Sequence, residues 1–203
     1  MPDIASNGPG GLILAGGRGA RMQEADKGWL MLAGQPLIAH VARRLAPQVQ
    51  ALLISANRNA DRYAGYGRVL ADDPAFGDWS GPLAGVLAGL TAWQGEWLVV
   101  APCDTPFLPQ DMAGRLIAAA RACRAPLAVA RAAGRRHSVC MALRTSLRDD
   151  LRDYLQGGDR KVGLWQSRVG GIEVGFDDTP HAFFNINTPD DLAAAVLEGK
   201  GRQ

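Results

Sequence analysis

The chain has 203 residues, 47% of them hydrophobic, and its 22 basic and 20 acidic side chains leave a net charge of +2. That is material for one α/β-sized domain with a full core. The near-neutral balance excludes a global basic field for nucleic acid or membrane surfaces, so any anion must be bound by local placement of charge. Cys103, Cys123 and Cys140 are far apart and fit no CxxC pattern. No basic-plus-apolar leader opens the sequence, and no apolar run reaches about 18 residues. A reduced, cytoplasmic setting is the expectation.

The first predicted strand, residues 12–14, runs into Gly16-Gly17-Arg18-Gly19. In an open α/β sheet, ligands bind outside the carboxyl ends of strands. Glycines there let backbone N–H groups approach phosphate oxygens without a Cβ in the way. Arg18, Arg21 and Lys27 then supply positive charge. Lys27 is one of three lysines against 19 arginines, and a compact point charge suits a phosphate. The plainer alternative is a tight turn with solvated arginines. Lys27 follows aspartate and precedes Gly28, which fails the GxxxxGK[ST] pattern of a Walker A loop. Met22 replaces the third glycine of a dinucleotide-binding GxGxxG, and no acid closes the second strand. Arg58 could meet a 2′-phosphate, which keeps an oxidoreductase as a weaker reading.

A helix over 36–46 leads to a strand at 51–55, which ends in Ser55-Ala56-Asn57-Arg58. The next strand, 68–71, stops at Asp72 and Asp73. A carboxylate such as Asp72 can accept N–H donors from a nucleobase edge. Gly81 opens a helix over 82–93 whose small residues permit close approach of a ligand or of a neighbouring strand. The apolar strand 97–101 delivers Asp104 to the same edge, with Pro102 and Pro106 fixing the loop. Facing a phosphate loop, this carboxylate suits a bridging Mg²⁺; an aspartate capping a turn is the alternative.

A helix over 110–123 and a strand at 127–130 continue the alternation, which implies a parallel or mostly parallel sheet covered on both faces. Strands at 138–143 and 171–176, a helix over 146–155, a last strand at 183–186 and a helix over 189–197 follow. On that last strand Asn185 and Asn187 would share one face while Ile186 points to the core. One domain spanning residues 1–203 is expected.

LAGGRGARM (14–22), ADKG (25–28), ISANR (54–58), SGPLAG (80–85), PCDTPF (102–107) and FFNINTPDDL (183–192) together resemble the molybdenum cofactor guanylyltransferases, the MobA family. The likeness runs from Leu14 to Leu192 in family order. It implies a three-layer, Rossmann-like α/β/α sandwich of the nucleotide-diphospho-sugar-transferase type. It also implies transfer of GMP from GTP to molybdopterin, or to molybdopterin already carrying molybdenum, with Mg²⁺ required and pyrophosphate released. The product would be the guanine dinucleotide form of the cofactor. Other molybdenum-cofactor biosynthesis proteins, target molybdoenzymes or their chaperones would be the protein partners.

Carried over by position, Leu14, Ala15 and Gly16, with Gly17 and Gly19, would hold the nucleotide by backbone. Lys27 and Arg21 would neutralise its phosphates. Ser55, Asn57 and Asp72 would lie at the guanine or ribose, with Gly81 close by. Asp104 would hold Mg²⁺ and GTP, whereas Asn185 and Asn187 would face molybdopterin, with Arg160 and Lys161 nearby. Gln23-Glu24, Ser55 and His137-Ser138 depart from the family pattern, which has a glycine pair, an asparagine and a His-Pro step there. The rivals are a cytidylyltransferase acting on the same cofactor, a related sugar-phosphate nucleotidyltransferase, and a non-catalytic carrier. Gly16 and a carboxylate suited to guanine's N–H pair favour guanylyl transfer over the first. A metal-ligating Asp104 speaks against the carrier.

Overall fold

The computed structural model describes residues 8–16, 26–77 and 81–200. In chain order, β1 (Gly10–Leu14) is followed by a short hairpin of β2 (Met31–Leu32) and β3 (Gln35–Pro36), then by α1 (Leu37–Leu45). β4 (Ala51–Ser55), α2 (Ala60–Tyr63), β5 (Arg68–Leu70), α3 (Pro82–Ala92) and β6 (Trp97–Pro102) complete the first half. The second comprises α4 (Met112–Ala122), β7 (Leu127–Ala132), β8 (Arg135–Arg144), α5 (Arg148–Gln156), α6 (Val162–Arg168), β9 (Ile172–Gly175) and α7 (Pro189–Lys200).

Seven strands form one sheet in the order β5-β4-β1-β6-β8-β7-β9. β8 runs antiparallel to both its neighbours and the remaining pairings are parallel, so the sheet is mostly parallel as the alternation implied. β1 and β6 have almost continuous apolar sequences because helices cover both faces. Ile13, Ile54 and Val99 pack with Ile38, Val41, Leu45 and Leu116 of α1 and α4 on one face. Leu12, Leu53 and Leu98 pack with Leu83, Leu90, Leu151 and Trp165 of α3, α5 and α6 on the other.

Burial rather than capping sets α1. No side chain caps its start, an omission worth about 1 kcal/mol. Against that, Leu37, Ile38, Val41 and Leu45 are wholly buried, each contributing about 1.5–3 kcal/mol. In α3, Gly85 and Gly89 lie one turn apart and touch the sheet. A Cβ at Gly85 would collide with Ser55, and one at Gly89 would come within 2.7 Å of Leu12. The small residues of this helix therefore serve a neighbouring strand. Gly81 has a different reason: its φ of 78° lies in the left-handed region that glycine enters freely.

The strand expected at 183–186 does not form. Residues 184–187 carry no regular structure, and β9 is already the edge of the sheet. Ile186 is buried as expected, but in a small separate cluster with Leu32, Leu37 and Ala195. Alternation of polar and apolar residues is a local signal, and among the described residues this segment joins neither sheet.

Candidate active site

Strand register brings the first half of the site together. Leu14 is aligned with Ser55 on one side and with Pro102 on the other, and Ser55 is aligned with Leu70. Two residues beyond each of these aligned positions stand Gly16, Asn57, Asp104 and Asp72. Backbone bonds carry the alignment past the strand ends: Ala15 N–H to Ser55 O (2.8 Å), Cys103 N–H to Leu14 O (3.0 Å) and Ala56 N–H to Leu70 O (2.9 Å). The chain reverses direction across the sheet at β1, with β4 on one side and β6 on the other. The carboxyl edge there forms the crevice in which open α/β sheets bind ligands.

On the β4–β5 side, Asn57 and Asp72 exchange two bonds. Asn57 Nδ2 donates to Asp72 Oδ2 at 2.8 Å, and Asp72 N–H donates to Asn57 Oδ1 at 2.9 Å. Ser55 Oγ donates to Asp72 Oδ1 at 3.3 Å. Ser55 thus reaches the same carboxylate as Asn57 two positions later. On the β1 side, a Cβ at Gly16 would meet Asn57 Nδ2 at 3.6 Å, an ordinary contact. Neither backbone strain nor crowding among the described residues demands glycine there.

On the β6 side, Lys27 Nζ lies 3.2 Å from Asp104 Oδ2 and donates to Asn187 Oδ1 at 2.6 Å. The Lys27 and Asp104 side chains are 22% and 13% exposed. Asp104 Oδ1 is buried with no hydrogen-bond partner among the described residues. Such an atom costs free energy unless something fills its lone pairs. Among the described residues no cluster of three acidic, histidine or cysteine groups could hold a metal alone. One orphaned carboxylate oxygen at the carboxyl edge of the sheet suits magnesium, which keeps water and phosphate oxygens among its ligands. Burial pushes the neighbouring Cys103 and Cys140 thiols above their usual range, so they act as small apolar side chains rather than nucleophiles.

The C-terminal segment crosses the same edge. Ile186 N–H donates to Asp104 O at 2.9 Å, and buried Thr105 donates its hydroxyl to Asn185 Oδ1 at 2.8 Å. Asn185 and Asn187 therefore meet different partners, Thr105 and Lys27. Thr188 and Asp191 form a reciprocal capping box at the start of α7. Asp191 Oδ2 accepts from the Asn187 and Thr188 N–H groups at 2.9 Å each, and Thr188 Oγ1 accepts from Asp191 N–H at 3.1 Å.

The backbone N–H of Asn187 in particular holds the Asp191 carboxyl below its ordinary value near 3.8. A depressed carboxyl contributes stability that is complete above the unfolded value and lost as pH falls through the folded one. We expect Asp191→Ala to melt below the wild type at pH 7. The gap should close as both are titrated below about pH 4. A gap that persists in acid would show that the capping bonds do not depend on the ionised carboxylate.

Beside Asn185 and Asn187 opens a cleft of about 460 Å³, lined by Pro102, Arg135, Arg136, His137, His181 and Phe183 among others. His137 stacks on Phe183 with ring centroids 4.9 Å apart, and burial lowers its pKa. The start of β8 reaches this edge because β8 is antiparallel, which the sequence pattern did not disclose. Arg135 and Arg136 were missed for that reason. Thr105 was missed although PCDTPF contains it. Arg160 and Lys161, expected near the acceptor, do not line the cleft. Arg160 is held by the Leu155 and Asp159 carbonyls, with Phe76 O at 3.5 Å. His40 donates from Nε2 to Leu32 O at 2.8 Å and is a structural residue of α1. Gly17, Arg18, Gly19 and Arg21 lie outside the described residues, as do Gln23 and Glu24.

Residues 11–169 match the model of the MobA-like NTP transferase domain. A protein from Burkholderia ambifaria named molybdenum cofactor guanylyltransferase is 50% identical over 194 residues, covering 91% of this chain and 93% of that one. A protein of the same name from Burkholderia vietnamiensis is 48% identical over 204 residues, 96% of this chain and 98% of that one. In fold, the chain is similar to the crystal structure of molybdopterin-guanine dinucleotide biosynthesis protein A from Archaeoglobus fulgidus. The TM-score is 0.79 at 24% identity, over 95% of this chain and 99% of that one. The sheet and its two helical layers are thus those of the nucleotide-diphospho-sugar-transferase-like nucleotidyltransferases. With a family model over most of its length and half its residues shared with such relatives, the chain is an enzyme of the MobA-like molybdenum cofactor guanylyltransferase family.

Proposed function

We propose that the enzyme transfers GMP from GTP to molybdopterin. An oxygen of the acceptor's terminal phosphate attacks the α-phosphorus of GTP, the bond from that phosphorus to the bridging oxygen breaks, and pyrophosphate leaves. The observation that carries this reading is the Lys27 ammonium. It bonds at once to Asp104 on the nucleotide edge and to Asn187 on the segment beside the basic cleft. A charge placed between two anionic substrates lowers their repulsion as they meet. The names of the relatives support guanine and molybdopterin as the two halves of the product.

The residues divide the work. Gly16 leaves room for the triphosphate to approach backbone, and Asp72, braced by Asn57 and Ser55, accepts the N1–H and N2–H₂ donors of guanine. Arg135 and the stacked His137 face the anionic, ring-bearing acceptor, beside Arg136, whose guanidinium is tied to Glu173 and Gln166. An anionic nucleophile needs little help from a general base, so positioning and charge neutralisation dominate. Asp104 would hold magnesium, which when bound would neutralise charge on the triphosphate.

Two measurements test this. Pyrophosphate release from each of GTP, CTP, ATP and UTP with molybdopterin should be fastest for GTP. Asp72→Asn should erode that preference, because the amide offers one acceptor oxygen and adds repelling donors. Equal losses for all four nucleotides would mean that Asp72 does not read the base, and preference for CTP in the wild type would overturn guanylyl transfer.

A further inference from the structure

Asp26 precedes Lys27 and carries the 3₁₀ turn Lys27–Trp29. Its Oδ1 accepts from Gly28 N–H at 3.3 Å and from the Tyr63 hydroxyl, and its Oδ2 accepts from Asn59 Nδ2 at 2.8 Å. Three donors on one carboxylate fix both the place and the rotation of the peptide that leads into Lys27.

Tyr63 is wholly buried, and burial together with its bond to Asp26 keeps the phenol protonated and therefore a donor. Its ring lies 5.1 Å from that of Trp29 on the same turn. The hydroxyl passes so close to Gly28 that any Cβ there would collide with it. Packing alone would be met by phenylalanine; the hydroxyl has a second task.

Asn59 shows the same commitment. It sits at φ 53° and ψ 32°, left-handed backbone that non-glycine residues adopt at a cost. It also stands at the N-cap of α2, yet makes no capping bond, and its amide crosses instead to Asp26, 33 positions earlier. A helix of four residues has little stability of its own. α2 is in effect a mount that presents Asn59 and Tyr63 to one carboxylate.

We propose that Tyr63 and Asn59 are positioning residues that act through Asp26 to aim the Lys27 ammonium at Asp104 and Asn187. The proposal rests on the transfer reaction above, in which Lys27 touches substrate phosphates. Tyr63→Phe keeps the ring and removes the hydroxyl; Asn59→Gly keeps the left-handed backbone and removes the amide. Each is expected to lower kcat/KM for GTP about 10-fold, as loss of an orienting partner does. Melting temperatures should fall by no more than about 10 °C, the loss of one hydrogen bond to a charged group, so both variants stay folded in the assay.

The deciding comparison repeats both substitutions in a Lys27→Ala background, with residual GMP transfer followed from radiolabelled GTP. There neither should have a further effect, because the group they aim is gone. Should both lower activity by the same factor with and without Lys27, the positioning role is overturned while the transfer reaction stands. Full activity of both single variants overturns it as well. Full activity of Lys27→Ala would remove Lys27 from the reaction and the positioning role with it. If Tyr63→Phe fails to fold, Asn59→Gly decides alone, since glycine accepts that backbone without strain.

Discussion

Exchange of Asp104 for alanine is expected to change GTP binding in opposite senses with and without magnesium. In chelator, the variant should bind GTP as tightly as the wild type or more so. Two effects combine there: a carboxylate that repels the triphosphate is gone, and the Lys27 ammonium it held at 3.2 Å is released toward the phosphates. With magnesium, the wild type should gain affinity and turnover that the variant does not recover, because the orphaned Oδ1 is the ligand atom on offer. Asp104→Asn should fail like alanine, since an amide oxygen adds no charge. Calorimetric titration of GTP into the three proteins, in each condition, settles the point. Equal enhancement by magnesium in all three would leave Asp104 a turn residue.

Lys27→Ala should cost more in rate than in stability. Loss of one preorganised charge aimed at the reacting centre lowers turnover by about 10²–10³-fold. The pair with Asp104 is partly buried, its side chains 22% and 13% exposed, so its rupture should lower the melting temperature by several degrees, short of the loss expected of a core variant. Lys27→Arg restores charge without the compact ammonium and should recover part of the rate. A Lys27→Ala protein that melts like a core variant would identify the residue as structural.

Much of this was legible in the sequence because the carriers are local. Apolar runs ending on Gly16, Ser55, Asp72 and Asp104 report buried parallel strands and their carboxyl edge, and seven strands lie within a few residues of expectation. What escaped depends on contacts between distant segments. The direction of β8, which brings Arg135 and His137 to the cleft, leaves no periodic trace. The segment at 183–186 has the alternation of a strand but, among the described residues, joins no sheet and makes only the single backbone bond from Ile186 N–H to Asp104 O toward β6. The turn that mounts Lys27 is held from Asn59 and Tyr63, residues that belong to no recognisable motif and lie 33 and 37 positions beyond Asp26 in sequence.

The shared offset of Gly16, Asn57, Asp72 and Asp104, each two residues past an aligned strand position, gives the site a particular tolerance to change. Their separations are written in the hydrogen-bond ladder, not in the connections. Crossover helices and outer loops can lengthen or shorten between relatives while the four groups stay where they are, since extra loop costs little. A single residue removed within β4 would do the reverse. It would draw Asn57 one step back along the edge and turn alternate side chains of the strand to the wrong face.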